Sequence, residues 1–528
     1  MPLPLEGFVK TYSSLNQNRF LTHLRTSFCA LVVLGVSLTF PSAKGDPPPW
    51  RFAADLTASE ALAAMDSGRL TSVDYVNALI DRILAHPEIN AFIHLDTEGA
   101  RAAAAEADAR RAHGMAGPLE GLPIVLKDSI NRAHMNTTAG TPALQGFRPA
   151  SSAPVVQILT NAGAIVLGKT NLHELSAGYT TNNAFRGPTR NPYDTNRIPG
   201  GSSGGNGAAL AARFAPLAIG EDTGGSIRVP AALTGTTGFR PSTGRYSTAG
   251  VVPLAHTLDT LGPMARNVRD LALIDSVITG DPIELETVSL QGLRIGVPRA
   301  YFHDLVDPVV EQAFAKALTR LEHAGATLVA ADLPGVGDLS LQASTVVAFF
   351  EAPRDLAAFL DEQGTGVTLE QLAAMIASPD VFALFQLALS GVVTEEQYLL
   401  VQNQVLPLLR QLYLDYFDEN DLDVMIYPSV PLPAPLIGQE TVMLNGVAVP
   451  VFNAFLHNSH YTPTIGAPTL TLPIGQGPHL LPLGGIDIAG IPGDDRRVLA
   501  IGDAISRVLP RIRPPTCMQP LPEPGPRP

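Results

Sequence analysis

The chain has 528 residues, 45% apolar and 16% charged, which is enough apolar mass for a sizeable core and excludes bulk disorder. Lys and Arg number 35 against 49 Asp and Glu, a net charge of −14 that argues against nucleic acid as the partner. The two cysteines, Cys29 and Cys517, exclude a disulfide framework, a multi-cysteine zinc site and an iron–sulfur cluster.

The first element is a leader. Residues 26–40 form the strongly apolar run near the start, with His23 and Arg25 before it and Pro41-Ser42-Ala43 after it. A basic flank, a short apolar stretch and small residues at a cleavage point describe a secretory signal. Residues 1–43 are therefore read as signal peptide or leader, and the protein as exported, periplasmic or secreted. A membrane span needs about 20 apolar residues, so no stable span is expected in the mature chain. An uncleaved anchor and a later true start stay open, and without a working signal the protein is cytoplasmic.

From Thr57 to Ala85 the pattern predicts two helices. Leu62, Met65, Val73, Val76, Leu79, Ile80 and Ile83 fall near a 3.6 period, with Thr57 and Thr71 or Ser72 as caps. Residues 97–113 are Ala-rich and charged, an exposed helix. Short apolar runs then predict buried strands at 123–126 and 164–167, with a helix over 154–162 between them. A helix at 207–214 and a strand at 216–219 follow. Residues 293–297, 307–323 and 326–330 repeat the strand–helix–strand rhythm. Residues 341–417 read as mostly helical, and 423–427 and 469–473 return to strand. This alternation implies an α/β fold, a single large domain over residues 50–509 with a central mixed β-sheet covered by helices. Residues 510–528 carry eight prolines and read as a disordered tail.

Two motif matches fail on physical grounds. Gly163 to Thr170 fits the phosphate-loop pattern, but its middle residues, Ala164 to Leu167, favour a buried strand whose amides are spent in a sheet. Gly201-Ser202-Ser203-Gly204-Gly205 contains the nucleophile-elbow pattern, which needs a strand directly before it. The preceding stretch holds Pro192 and Pro199 instead, and neither His256 nor His479 has the context of a triad histidine.

Three segments remain. Gly121-Leu122-Pro123-Ile124-Val125-Leu126-Lys127-Asp128 places a lysine at the end of an apolar strand. Pro199-Gly200-Gly201-Ser202-Ser203-Gly204-Gly205-Asn206-Gly207 precedes an apolar, helix-like run, which a flexible linker would not. Gly220-Glu221-Asp222-Thr223-Gly224-Gly225-Ser226-Ile227-Arg228-Val229-Pro230 carries successive glycines that let amides point into one concavity, which suits an oxyanion. Ser202 follows Lys127 by 75 positions and precedes Ser226 by 24.

In these blocks and offsets the chain resembles the amidase signature family, over residues 55 to 508. Gly168-Lys169-Thr170-Asn171-Leu172-His173-Glu174 and Leu470-Thr471-Leu472-Pro473-Ile474-Gly475 belong to the resemblance, and Asn206 departs from it, flanking the motif where it would bear on substrate fit. The resemblance implies the amidase signature fold and a Ser–cisSer–Lys triad. Ser226 would be the nucleophile, Ser202 the bridging serine on a cis peptide, and Lys127 the base, neutral because burial disfavours the ammonium. The amides of Thr223, Gly224, Gly225 and Ser226 would form the oxyanion hole. Ser203, Asp222 and Arg228 would hydrogen-bond the loops in place. No metal and no cofactor are implied.

Thr138 to Leu144, Arg190 to Asp194 and Gly238 to Tyr246 further resemble the indoleacetamide and mandelamide hydrolase subgroup. That implies a small-molecule amide as substrate, with an arylacetyl acyl group a natural candidate, and ammonia as leaving group. A peptide-amide, acylamide or carbamate hydrolase is the alternative. An exported chain cannot serve as an amidotransferase subunit acting on charged tRNA. A homodimer is left open. Val347, Phe349, Phe350, Phe382 and Phe385 are apolar candidates for the pocket wall, though ordinary core is the default reading for each.

Overall fold

A mixed sheet of eleven strands runs through the body of the protein. The computed structural model describes residues 49–333 and 335–516, so the leader read at 1–43 lies outside the described residues. In chain order the strands are β1 (Phe92–Leu95), β2 (Pro123–Lys127), β3 (Ile165–Thr170), β4 (Leu217–Asp222), β5 (Thr237–Arg240), β6 (Thr260–Ala265), β7 (Arg294–Gly296), β8 (Thr327–Val329), β9 (Val424–Pro428), β10 (Thr469–Pro473) and β11 (Gly485–Ala489). They lie in the order β1-β3-β2-β4-β6-β5-β10-β11-β9-β7-β8. β2 runs parallel to both β3 and β4. From β4 through to β9 the neighbours are antiparallel, and β7 is parallel to β9 and β8.

β2, β3 and β4 are buried along their whole length, which is why they read as continuous apolar runs. Each outgrows its expected range at the C-terminal end: β2 includes Lys127, β3 includes Lys169 and Thr170, and β4 runs on to Asp222. Polar side chains at strand ends on one edge of a parallel segment are where α/β folds place their sites.

The helices follow the expected rhythm. α1 (Ala58–Asp66) and α2 (Ser72–Ala85) are capped by Thr57 and Thr71, each accepting a hydrogen bond from the amide three residues on. Thr57 and Glu60 close a full capping box. α3 (Thr97–Ala112) buries only alanines, Ala100, Ala104 and Ala107, as an exposed helix should. α4 (Pro154–Asn161) leads into β3. α5 begins at Gly204, earlier than expected, and runs to Ala211. α6 (Arg228–Thr234), α7 (Val268–Thr279), α8 (Pro308–His323), α9 (Val336–Glu362), α10 (Leu369–Met375) and α11 (Pro379–Leu389) complete the set used below.

The largest core cluster joins the first helices to the sheet through Leu79, Ile80, Ile124, Leu126, Leu210 and Ile219, all 0% exposed. Each such side chain contributes about 1.5–3 kcal/mol on burial. A separate cluster packs α9 and α11 over the loop after β2, with Leu144, Leu175, Leu356, Phe359 and Phe385. Among the described residues no helix is long and apolar enough to cross a membrane.

Of the Pro-rich tail read at 510–528, residues 517–528 lie outside the described residues, and Arg513 before them is hydrogen-bonded. Arg513 N–H donates to Gln476 Oε1 at 3.0 Å, and the Arg513 carbonyl accepts from Tyr193 Oη and Gln476 Nε2, each at 3.0 Å. Proline forbids a helix there but not an extended strap.

Candidate active site

Lys127 ends β2 with its side chain fully buried. Its Nζ lies 2.7 Å from Ser202 Oγ. Ser202 sits in the turn before α5, and the Gly201–Ser202 peptide is cis. Its carbonyl accepts from His173 N–H at 3.1 Å, which seats the turn on the loop after β3. The backbone packs so closely here that a Cβ on Gly201 would lie 2.7 Å from the Tyr179 carbonyl carbon. Burial pushes the Lys127 ammonium below its ordinary pKa, outweighing the nearby Glu221 carboxylate, which pulls the other way.

Ser226 lies in the loop between β4 and α6 and is 5% exposed. Its carbonyl accepts from Ser203 N–H at 3.1 Å, so the two glycine-rich loops are joined directly. Ser203 Oγ also reaches the Glu221 carbonyl at 3.2 Å.

Asp222 organises the nucleophile loop. It accepts from Gly225 N–H at 2.7 Å and Ile227 N–H at 3.0 Å. Arg228 grips both of its oxygens, Nε to Oδ2 and Nη2 to Oδ1, each at 3.1 Å. The same guanidinium reaches Asp487 Oδ2 at 3.1 Å, Thr462 Oγ1 at 3.2 Å and the Ser459 carbonyl at 2.6 Å. Both partners are fully buried. Burial alone would raise the Asp222 pKa, but the Arg228 charge wins and holds it below the ordinary carboxylate value. Ser203, Asp222 and Arg228 thus hydrogen-bond within and between these loops.

One expectation needs correcting. Gly225 N–H is engaged by Asp222, so it holds the turn and does not face an oxyanion. Among the described residues the amides of Thr223, Gly224 and Ser226 have no acceptor, and these are the free donors of the loop. The Gly224 carbonyl points the other way and accepts from Tyr179 Oη at 2.7 Å.

Gly225 has φ +116°, and a Cβ there would lie 2.4 Å from Ser459 Cβ. Gly225→Ala should therefore both destabilise the protein and displace Ser226. Expected are a lower thermal midpoint and at least a 10²-fold fall in kcat, since a misplacement of about 1 Å can cost that much. Wild-type kcat in this variant would show that the loop yields elsewhere.

The rejected motifs stay rejected. Residues 165–170 are strand β3, and Lys169 is fully buried on Asp128 at 2.9 Å, with no room for a phosphate. His256 is exposed on Asp355, and His479 is exposed. Asn206 is not at the edge of a pocket. It is 0% exposed, accepts from Thr170 Oγ1 and donates to the Ile219 carbonyl at 2.9 Å, stitching α5 to β3 and β4. Of the aromatic candidates, Phe385 belongs to a core cluster, Phe350 stacks on Tyr398 at 4.0 Å, and Phe382 is 42% exposed. Val347 is buried and Phe349 half-buried, both on α9.

Several residues of the site are given no role by the sequence reading, though Glu221, His173 and Glu174 stand within its motif segments. Glu221 Oε2 lies 3.1 Å from Lys127 Nζ, and Ser129 and Ser176 donate to the same oxygen. Asp259 accepts from Thr223 Oγ1 at 2.6 Å, and burial together with the Glu221 charge pushes its pKa up to about 7. The available signal for Glu221 is a carboxylate that directly follows Leu217, Ala218, Ile219 and Gly220 in the same strand. His173 and Glu174 join the cis-serine turn to α11: His173 Nε2 meets Asp380 at 3.0 Å, and Glu174 accepts from Ala377 N–H at 3.1 Å and Ser378 N–H at 2.7 Å.

A family model described as Amidase matches residues 74–499. An indoleacetamide hydrolase of Allorhizobium ampelinum is 38% identical over 453 residues, covering 85% of this chain and 97% of that protein. A mandelamide hydrolase of Pseudomonas putida is 37% identical over 485 residues, covering 88% and 93%. A crystal structure of an amidase superimposes with a TM-score of 0.77 at 33% identity, covering 86% of this chain and all of that one.

Proposed function

We propose that this chain, which belongs to the amidase family and is a hydrolase of amide C–N bonds, acts on a small carboxylic amide through an acyl-enzyme on Ser226. The observation that carries the reading is the 2.7 Å contact between Lys127 Nζ and Ser202 Oγ in a fully buried setting. A serine hydroxyl is a weak nucleophile until a base takes its proton. A hydroxyl both donates and accepts, so Ser202 can receive a proton from Ser226 and pass its own to neutral Lys127. Ser226 Oγ then attacks the amide carbon. The charge that develops on the carbonyl oxygen falls to the amides of Thr223, Gly224 and Ser226. Lys127, now an ammonium, returns its proton through Ser202 to the departing nitrogen, and ammonia leaves. Water enters by the same proton path and frees the carboxylate and Ser226.

The similarity to indoleacetamide and mandelamide hydrolases supports an arylacetyl acyl group. Ammonia release should be measured across aliphatic, arylacetic and C-terminal peptide amides, with anilides and carbamates included. The expected result is the highest kcat/KM on a primary arylacetamide, and a preference for peptide amides or anilides would replace that substrate class. Activity should rise with pH, because only the neutral lysine is a base. Its apparent pKa should lie below the free value of about 10.4, as burial dictates. A flat profile up to pH 10 from an acidic limb near 4 would point to a carboxylate base instead.

A further inference from the structure

We infer that Glu221 is a positioning residue that turns the amine of Lys127 so that its lone pair faces Ser202. The inference rests on Lys127 being the base. A neutral amine has two hydrogens and one lone pair, and unless something holds the hydrogens the lone pair points anywhere. Glu221 offers two acceptors to the same nitrogen, its carboxylate Oε2 at 3.1 Å and its own backbone carbonyl at 3.4 Å. Two hydrogens directed to those acceptors leave the lone pair for the Ser202 hydroxyl at 2.7 Å. The register that sets Leu126 opposite Ile219 brings the end of β2 alongside Glu221, so the backbone fixes this geometry.

The carboxylate is itself held. Ser129 Oγ donates to Oε2 at 2.7 Å and Ser176 Oγ at 3.0 Å. Ser176 has φ +59° and its neighbour Leu175 φ +52°, left-handed conformations that residues with a side chain rarely adopt. The turn is kept there by Leu175 N–H on the Ala139 carbonyl at 2.9 Å and Ser176 N–H on the His173 carbonyl at 2.9 Å. A strained turn therefore delivers one of the hydroxyls that fix Glu221. The second oxygen, Oε1, is buried with no hydrogen-bond partner among the described residues, which a purely structural carboxylate would not tolerate well. The other acidic groups near the lysine are committed elsewhere. Asp222 is gripped by Arg228, and Asp259 accepts from Thr223 and from the amides of Leu254 and Ala255.

The test compares Glu221→Ala and Glu221→Gln with wild type in full pH profiles on a primary amide. Glu221→Ala loses an acceptor, so kcat should fall about 10²-fold with KM within a factor of about two. Glu221→Gln keeps an acceptor oxygen and loses the charge. Its kcat at high pH should recover to within about tenfold of wild type. Its acidic limb should move to lower pH, because the carboxylate favours the ammonium and its removal leaves burial to favour the amine. If Glu221→Ala does not fold, the Gln profile alone decides. Wild-type kcat in Glu221→Ala, or a Gln profile superimposable on wild type, overturns the inference. Lys127→Ala, assayed beside them, separates the two readings. If it is dead while the Glu221 variants behave as wild type, only the role of Glu221 fails. If it still turns over, the base assignment itself fails.

Discussion

Ser226→Ala should lower kcat by about four to six orders of magnitude with little change in thermal midpoint. The substitution removes one hydroxyl from a loop whose shape is set by Asp222 and Arg228 rather than by the serine side chain. Ser202→Ala should cost nearly as much, because Lys127 lies 2.7 Å from Ser202 Oγ and loses its route to the nucleophile. Lys127→Ala should be as inactive, and it carries a second cost. It takes from the buried Glu221 carboxylate, 1% exposed, the amine beside its Oε2, and leaving a buried polar group less satisfied costs about 1–3 kcal/mol. The fold is therefore less indifferent to this lysine than the motif suggests. Combining the three substitutions should add little to any one of them, since the groups act as a unit. A serine-directed phosphonate should label Ser226, mapped by mass spectrometry. Label on Ser203, or normal turnover by Ser226→Ala, would sink the assignment.

Asp222→Ala should be the most destabilising single change near the site. It leaves Arg228, fully buried, with one carboxylate where it had two, and it removes the acceptor for Gly225 and Ile227. A loss of about 3–5 kcal/mol is expected from the uncompensated charge alone. Urea unfolding at pH 7 measures it, and an unchanged midpoint would mean that Asp487 carries the arginine unaided. The pH dependence has a definite sign. The native pKa of Asp222 is below the ordinary 3.8, so its contribution is full above that value and is lost as pH falls through the lower native one. Wild type should therefore lose stability more steeply below pH 4 than Asp222→Ala does.

The parts of this architecture that could be read from the sequence are those where one local pattern decides the outcome. β2 and β3 are short apolar runs buried on both faces, and nothing else suits such runs. Ser202 and Ser226 stand in glycine-rich blocks and Lys127 ends an apolar strand, at offsets that resemble the amidase signature family. β6 could not be read, because Gly262 and Pro263 sit inside it. The glycine is needed there, since a Cβ would lie 2.1 Å from the Phe239 carbonyl oxygen. α6 was hidden for the same reason, with Pro230 in its first turn. Glu221 and Asp222 look like one acidic pair on paper. Successive strand residues face opposite ways, so one meets Lys127 and the other Arg228. The Glu174 bonds to the start of α11 span some 200 residues of chain, a distance no local pattern encodes.

Arg228 also sets an order of events in synthesis. Its partners Ser459 and Asp487 lie 231 and 259 residues further along the chain. As the polypeptide leaves the ribosome, Lys127, Ser202 and Ser226 are all present long before the groups that lock the nucleophile loop have been made. A nascent chain can therefore form β2, β3 and β4 early and still lack a finished site. The bonds from Arg228 to Ser459 and Asp487 can form only when translation has passed Asp487, so the last strand of the sheet completes the lock on the nucleophile loop.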